Sequence, residues 1–394
     1  MNRWLLPEDI ADILPAEAAK VEALRRRLLD LYQSYGYELV TPPLIEFLDS
    51  LLTGTGADLN LQTFKLVDQL SGRTLGLRAD MTPQVARIDA HLLNRDGVTR
   101  LCYAGSVVHA RASITSASRE EVQLGAEIYG CASLDADSEA ISLLLQTLRL
   151  AGQEQVYLDL SHAGVLAGVL EGVTLTPADM QTVYGLLQSK DRPSLVAWSQ
   201  AVPTDCAKAL LALTHLNGPS SEVLKKARKG EFALPNNLQV QESLLQLEAL
   251  LASMTELAPT TEMSIDLADL RGYQYHTGVT FAAYIADLAQ PIARGGRYDQ
   301  VGAAFGRARP ATGFSLDLLT LASLSKASAL RPVIRAPWLS DAALLAQISH
   351  LREAGEVVIQ IKVGEEFLSS QFQCDRELVQ QGKNWVVSPL RSVK

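Results

Sequence analysis

Residues 107–130 read VVHARASITSASREEVQLGAEIYG. Along a strand successive side chains point to opposite faces, so Gln123, Gly125 and Glu127 share one face while Leu124, Ala126 and Ile128 share the other. The second face reads as core. The first is polar where a core would be apolar, which marks it as a wall facing something other than protein interior. Ahead of this strand, a run of small hydroxyl residues between Arg111 and Arg119 reads as a loop.

The flanking sequence places that strand in an antiparallel sheet. Upstream, residues 64–80 read FKLVDQLSGRTLGLRAD, two β-type runs joined at Ser71-Gly72, a hairpin signal. The stretch YGYELVTPPLIEF at 35–47 predicts a strand stopped by Pro42 and Pro43, and residues 100–103 predict another. Helices are predicted at 16–35, where Val21, Leu24, Leu28 and Tyr32 recur at helical spacing, and at 82–93 and 138–150. A strand at 155–164 precedes a Leu-rich, proline-broken region with almost no β-branched runs, read as a helical insertion over about 165–257. Strands return at 261–268 and 278–284, followed by the glycine-rich IARGGRYD and a helix near 313–324. Strands in series rather than alternating βαβ units give an α+β fold, an antiparallel sheet flanked by helices, over residues 1–325. Residues 326–337 read as a linker, and 338–394 as a short C-terminal α/β module with one helix and strands at 356–361 and 385–387.

Composition narrows the function. A hydrophobic fraction of 47% and a charged fraction of 20% over 394 residues are those of a folded chain of two or three domains. A net charge of -9 speaks against a general nucleic-acid surface, which needs clustered Lys and Arg. No apolar run approaches the roughly 20 residues of a membrane span, and the N-terminus lacks a signal-like core, so a cytoplasmic location is expected. Cys102, Cys131, Cys206 and Cys374 are too widely spaced for a zinc site or a disulfide framework, and no metal or cofactor is expected.

Four polar clusters interrupt apolar elements: Arg78, Asp80 and Thr82; Gln123 and Glu127; Arg271, Tyr275 and His276; and Arg294, Arg297 and Tyr298. Any one of them is more often a solvated strand face or turn than a site. Together they supply acids for an ammonium, guanidinium for a carboxylate and aromatic hydrogen-bonders, the groups that hold a zwitterionic amino acid.

The ordered set GYELVTPPLIE, TFKLVDQLSGRTLGLRADMTPQVARI, EVQLGAEIYG, LRGYQYHTGVTF, ARGGRYD and ATGFSLDLLTL resembles histidyl-tRNA synthetase, a class II aminoacyl-tRNA synthetase fold, over roughly residues 5–325. The resemblance implies a histidine-binding site. By motif position, Asp80 and Thr82 fall at the ammonium contact, with Gln123 assisting and Glu127 facing the imidazole. Arg271 matches the residue that reaches the carboxylate, while Tyr275 and His276 match two tyrosines of the synthetase, the second one replaced. Pro43 takes the place of the dimer motif's proline, which implies self-association as a dimer.

The departures from the family pattern bear on chemistry. His109 stands where a class II synthetase sends an arginine to the α-phosphate of ATP, Arg111 where it has a glutamate, and Thr320 where it has the arginine of its third motif. Guanidinium charge on the developing phosphate is a large part of such catalysis, and losing one donor of this kind costs about 100-fold or more. About sixty residues follow the linker, where the synthetase carries an anticodon-binding domain of roughly a hundred. This combination resembles the regulatory subunit of ATP phosphoribosyltransferase. The resemblance implies a subunit with no catalytic residue of its own, partnering the short form of the catalytic subunit as a hetero-octamer in the first step of histidine biosynthesis. It also implies a role in feedback inhibition with histidine as effector, and no tRNA partner. Two other readings stay open: a divergent histidyl-tRNA synthetase or other amino-acid-adenylating enzyme, and a free-standing histidine sensor.

Overall fold

The computed structural model describes residues 4–54, 57–111, 118–269, 275–286, 288–325, 330–362, 365 and 367–390, with the side chains of 57 and 58 excepted. The chain divides into two compact units, residues 1–11 with 24–325 and residues 12–23 with 326–394. In chain order the strands of the first unit are β1 Glu38–Leu39, β2 Ile45–Phe47, β3 Phe64–Val67, β4 Thr74–Leu77, β5 Thr99–Val108 and β6 Glu120–Tyr129. They continue as β7 Val156–His162, β8 Asn217–Pro219, β9 Glu262–Asp266, β10 Val279–Ile285, β11 Ala293–Arg297 and β12 Ala311–Asp317. Among the described residues, nine of these form one sheet in the order β1-β5-β6-β12-β11-β10-β7-β9-β8. Its middle, from β5 to β7, is antiparallel throughout, while β1 joins β5 and β9 joins β7 in parallel. The sheet is therefore mixed at its margins. β2, β4 and β3 make a separate three-stranded sheet whose hairpin turns at Gly72, in the left-handed region at φ +70°.

One face of the large sheet carries Leu124, Ala126, Ile128, Phe314 and Leu316, all buried. Helix Leu134–Leu150 packs against it, started by Ser133, whose hydroxyl accepts from the Asp135 amide. Tyr32 meets the Phe314 ring edge-on at 6.1 Å and bonds the Thr147 hydroxyl at 3.2 Å. Each fully buried Leu, Ile or Phe here contributes about 1.5–3 kcal/mol, so this face is the core and leaves the other for function.

Several elements depart from the sequence reading. The helix predicted at 313–324 is strand β12 followed by a helix only from Leu318 to Leu324, because Gly313 and its neighbours fit between two strands and Asp317 caps the helix behind them. The helix at 82–93 is α-helical over Thr82–Arg87 and π-helical over Ile88–Leu93. The insertion holds helices Pro177–Gln188, Arg192–Trp198, Thr204–Leu213, Ser220–Arg228 and Leu238–Leu257, and it also lends the edge strand β8.

In the second unit, strands β13 Arg331–Pro337, β14 Val358–Ile361, β15 Phe372–Gln381 and β16 Asn384–Pro389 form a sheet in the order β14-β13-β15-β16. Helix Ala342–Glu353 buries Leu344 and Ile348 with Ile334, Ala336, Val358 and Leu378. Residues 331–337 are thus not linker, as expected, but an inner strand: Val333, Ile334 and Ala336 are fully buried despite the prolines at both ends.

Candidate functional site

The polar face of β6 forms one end of a cavity of about 160 Å³, an order of magnitude above the roughly 10–15 Å³ that one water needs. Residues directly opposite in antiparallel strands share a face, so the register names its floor. Glu127 lies opposite Gly313, which lies opposite Gly296, then Thr280, then Ser161. The next row runs Tyr103, Gly125, Ser315, Arg294, Ala282 and Asp159. Small residues keep the floor low. A Cβ on Gly313 would fall on the Glu127 carboxylate, and one on Gly296 would stand 2.8 Å from the Val279 carbonyl and 3.0 Å from the His276 ring.

Glu127 is 1% exposed and sits among tyrosines. The Tyr103 hydroxyl donates to its Oε1 at 3.0 Å and the Tyr298 hydroxyl donates to Oε2, while Tyr103 and Thr82 share a hydrogen bond of 2.9 Å. Burial pushes the Glu127 carboxyl up to about 8, against the lowering effect of the two tyrosine bonds and with a further raise from the charge of Asp80. At neutral pH Glu127 is therefore mostly protonated, able to donate or accept, and a cationic or N–H-bearing ring beside it would draw it toward the ionised form.

Asp80 ends the loop between β4 and helix Thr82–Arg87. Its Oδ1 accepts from the Thr82 amide at 2.9 Å and from Gln123 Nε2 at 2.8 Å, and Gln123 Oε1 accepts from the Met81 amide at 2.7 Å. Asp80, Thr82, Glu127, Tyr275 and His276 all line the cavity. Gln123 does not: it stands behind Asp80 as a brace and faces a neighbouring cavity. Arg271 lies outside the described residues. Tyr298 belonged to one of the polar clusters without being singled out, and Tyr103, hidden in an apolar strand, becomes visible only once it is paired opposite Gly125. Two arginines of the clusters are structural. The Arg78 guanidinium donates to the Ser106 and Pro42 carbonyls at 2.8 and 2.6 Å, and Arg297 pairs with the buried Asp137 at 2.7 Å.

The neighbouring cavity, about 250 Å³, is lined by His109, Glu121, Gln123, Arg294, Asp317 and Thr320 among others. His109 and Thr320, the two residues standing in for synthetase arginines, both line it. Asp317 caps the following helix, accepting from the Leu319 and Thr320 amides at 3.1 and 3.0 Å and from the Thr320 hydroxyl at 2.5 Å. Burial raises its carboxyl above the usual range. Among the described lining residues Arg294 carries permanent positive charge, against Glu121 and Asp317. Among the described residues its lining lacks the concentrated guanidinium charge that a triphosphate requires. Among the described residues no group of His, Cys, Asp and Glu could hold a metal ion, and no helix is long and apolar enough to cross a membrane.

The histidyl-tRNA synthetase family model matches residues 9–321, and that of the ATP phosphoribosyltransferase subunit HisZ C-terminal domain matches residues 331–388. An ATP phosphoribosyltransferase regulatory subunit from Polynucleobacter necessarius subsp. necessarius is 66% identical over 387 residues, 98% of this chain and 99% of its own. One from Burkholderia multivorans is 56% identical over 389 residues, 99% of this chain and 100% of its own. The chain belongs to the ATP phosphoribosyltransferase regulatory subunit family. It is a regulatory, non-catalytic subunit acting in histidine biosynthesis. Solved structures support the fold. An ATP phosphoribosyltransferase regulatory subunit/histidyl-tRNA synthetase from Bacillus halodurans superposes with a TM-score of 0.80 at 24% identity, covering 95% of this chain and 98% of that one. A histidyl-tRNA synthetase from Nostoc sp. PCC 7120 gives 0.74 at 18%, covering 93% and 88%.

Proposed function

We propose that this regulatory subunit binds free histidine in the Glu127 cavity and conveys its presence to the short form of the ATP phosphoribosyltransferase catalytic subunit, within a cytoplasmic hetero-octamer that does not engage tRNA. The observation that carries this reading is the contrast between the two cavities. One gathers Asp80, Thr82, Glu127, Tyr298 and His276 around a polar floor, and the other has Arg294 as its one guanidinium among the described lining residues. In the proposed pose the imidazole meets Glu127, Tyr298, Tyr275 and His276, the ammonium meets Asp80 and Thr82, and the carboxylate is assigned by motif resemblance to Arg271. Exposed Leu39, Leu44, Ile45, Leu66, Val67 and Leu70 on and beside β1 to β4 support self-association as a dimer.

Calorimetric titration of histidine and then ATP into the chain alone tests the reading. Histidine binding without ATP binding is expected, together with no histidine-dependent pyrophosphate exchange. With the catalytic subunit added, Glu127→Ala should leave the complex assembled on a sizing column and relieve inhibition by histidine. Unchanged inhibition in the assembled mutant complex would overturn the site.

A further inference from the structure

The cavity is longer than its proposed ligand. Glu127 stands on β6 and Ser161 on β7, four strand steps apart across β12, β11 and β10, or roughly 19 Å at about 4.8 Å per step. A free histidine spans less than half of that. The far end has its own chemistry: Asp159 and Ser161 on β7, and Asp266 at the end of β9, all line the cavity.

Three features of that end point to a ligand. Ser161 is 4% exposed, lies in the same floor row as Thr280 and Gly296, and its hydroxyl has no hydrogen-bond partner among the described residues. A buried hydroxyl without a partner costs about 1–3 kcal/mol, a cost that a bound donor or acceptor removes. Among the described residues this end of the cavity carries more carboxylate than counter-charge, Arg294 lining the cavity two strands away on β11. Lys190, which does not line the cavity, reaches Asp266 Oδ2 at 2.8 Å, and Asp159 has as its partner the neutral Ser264 hydroxyl. Burial raises the Asp159 carboxyl and the charges of Asp266 and Asp269 raise it further, against the lowering effects of the Ser264 hydroxyl and Lys190, and a cation bound beside it would lower it again. A histidine zwitterion at the Glu127 end brings no net charge to this wall. A hydroxyl beside two carboxylates suits the several N–H donors of an ammonium or guanidinium group.

We infer that Asp159, Ser161 and Asp266 form a second subsite of the cavity that takes the ammonium or guanidinium group of a small organic cation alongside histidine. The inference rests on the histidine reading of the Glu127 end, though its own test does not. Agmatine serves as the probe and n-butanol as its uncharged control, each titrated into the full-length chain with and without saturating histidine. One equivalent of agmatine should bind in both conditions, and n-butanol should not bind. Asp159→Asn should weaken agmatine at least tenfold and Ser161→Ala at least threefold, with histidine affinity held within twofold. Ser161→Ala removes a hydroxyl that bonds nothing among the described residues, so it keeps the test valid if Asp159→Asn fails to fold. Absence of agmatine binding, one-for-one competition with histidine, or wild-type affinity in Ser161→Ala would overturn the subsite. If histidine fails to bind the wild type, the histidine reading falls while the agmatine titration still decides this one.

Discussion

Replacing Glu127 by Gln should make the chain more stable than the wild type at alkaline pH and leave the two close at acidic pH. A carboxyl whose folded-state pKa lies above its unfolded value holds its proton more tightly when folded. Its favourable contribution is complete below the ordinary 4.5 and is lost as the pH climbs through about 8, where burial has moved Glu127. That displacement corresponds to about 5 kcal/mol at ~1.4 kcal/mol per pH unit, a large part of the 5–15 kcal/mol that typically holds a domain together. Between pH 6 and pH 9 about 3 kcal/mol of it should disappear from the wild type and none from the variant, because glutamine does not ionise. The amide still offers an oxygen to Tyr103 and a nitrogen to the Tyr298 hydroxyl, so the enclosure stays filled. Urea unfolding followed by circular dichroism, run on both proteins at pH 6, 7.5 and 9, reads the difference between the two curves and cancels every other titrating group. Curves that stay parallel across that range would show that Glu127 does not titrate near 8, and the description of its site would be wrong.

Three further substitutions separate binding from support. Gln123→Leu removes the brace behind Asp80 and strands the Met81 amide, so about 1–3 kcal/mol of stability should be lost and calorimetry should show weaker histidine binding although Gln123 lines no part of that cavity. Gly313→Ala places a methyl where the Glu127 carboxylate sits, and should abolish histidine binding by calorimetry while costing about 1–3 kcal/mol in thermal unfolding. Arg297→Met leaves Asp137 buried and unpaired, a loss of about 3–5 kcal/mol that Asp137→Leu in the same chain should largely restore, as read by melting temperature.

Much of the site was legible because it violates strand patterning. Glu127 and Gln123 alternate with apolar residues on a single strand, and a polar face on a central strand needs a reason. What the pattern could not supply was register. Tyr103 sits in TRLCYAGSVV as one more apolar residue, and only its position opposite Gly125, where a Cβ would strike its ring, turns its hydroxyl toward Glu127. The same holds for Gly313: GFSLDLLTL reads as helix because its leucines do, yet a glycine beside Glu127 is what lets the carboxylate lie flat on the sheet. Strand β15 escaped for the opposite reason. Of its ten residues Leu378 alone is buried, so FQCDRELVQQ carries no apolar alternation to detect.

The proposed pairing of a histidine site with a neighbouring cavity poor in guanidinium groups has an energetic logic. An enzyme gains rate only from contacts that are stronger in the transition state than in the bound substrate, so tight ground-state binding of an amino acid works against adenylation. A sensor has the reverse requirement, since its signal is limited by the difference in ligand affinity between two states, and each ground-state contact can contribute to that difference. On the proposed reading, His109 and Thr320 stand at positions where a synthetase's arginines would act in the transition state. Glu127, Asp80 and their tyrosine and glutamine supports act on the ground state. If the Glu127 cavity binds histidine as proposed, changes confined to the second cavity cost that site little, and they leave its binding free energy available for biasing a partner.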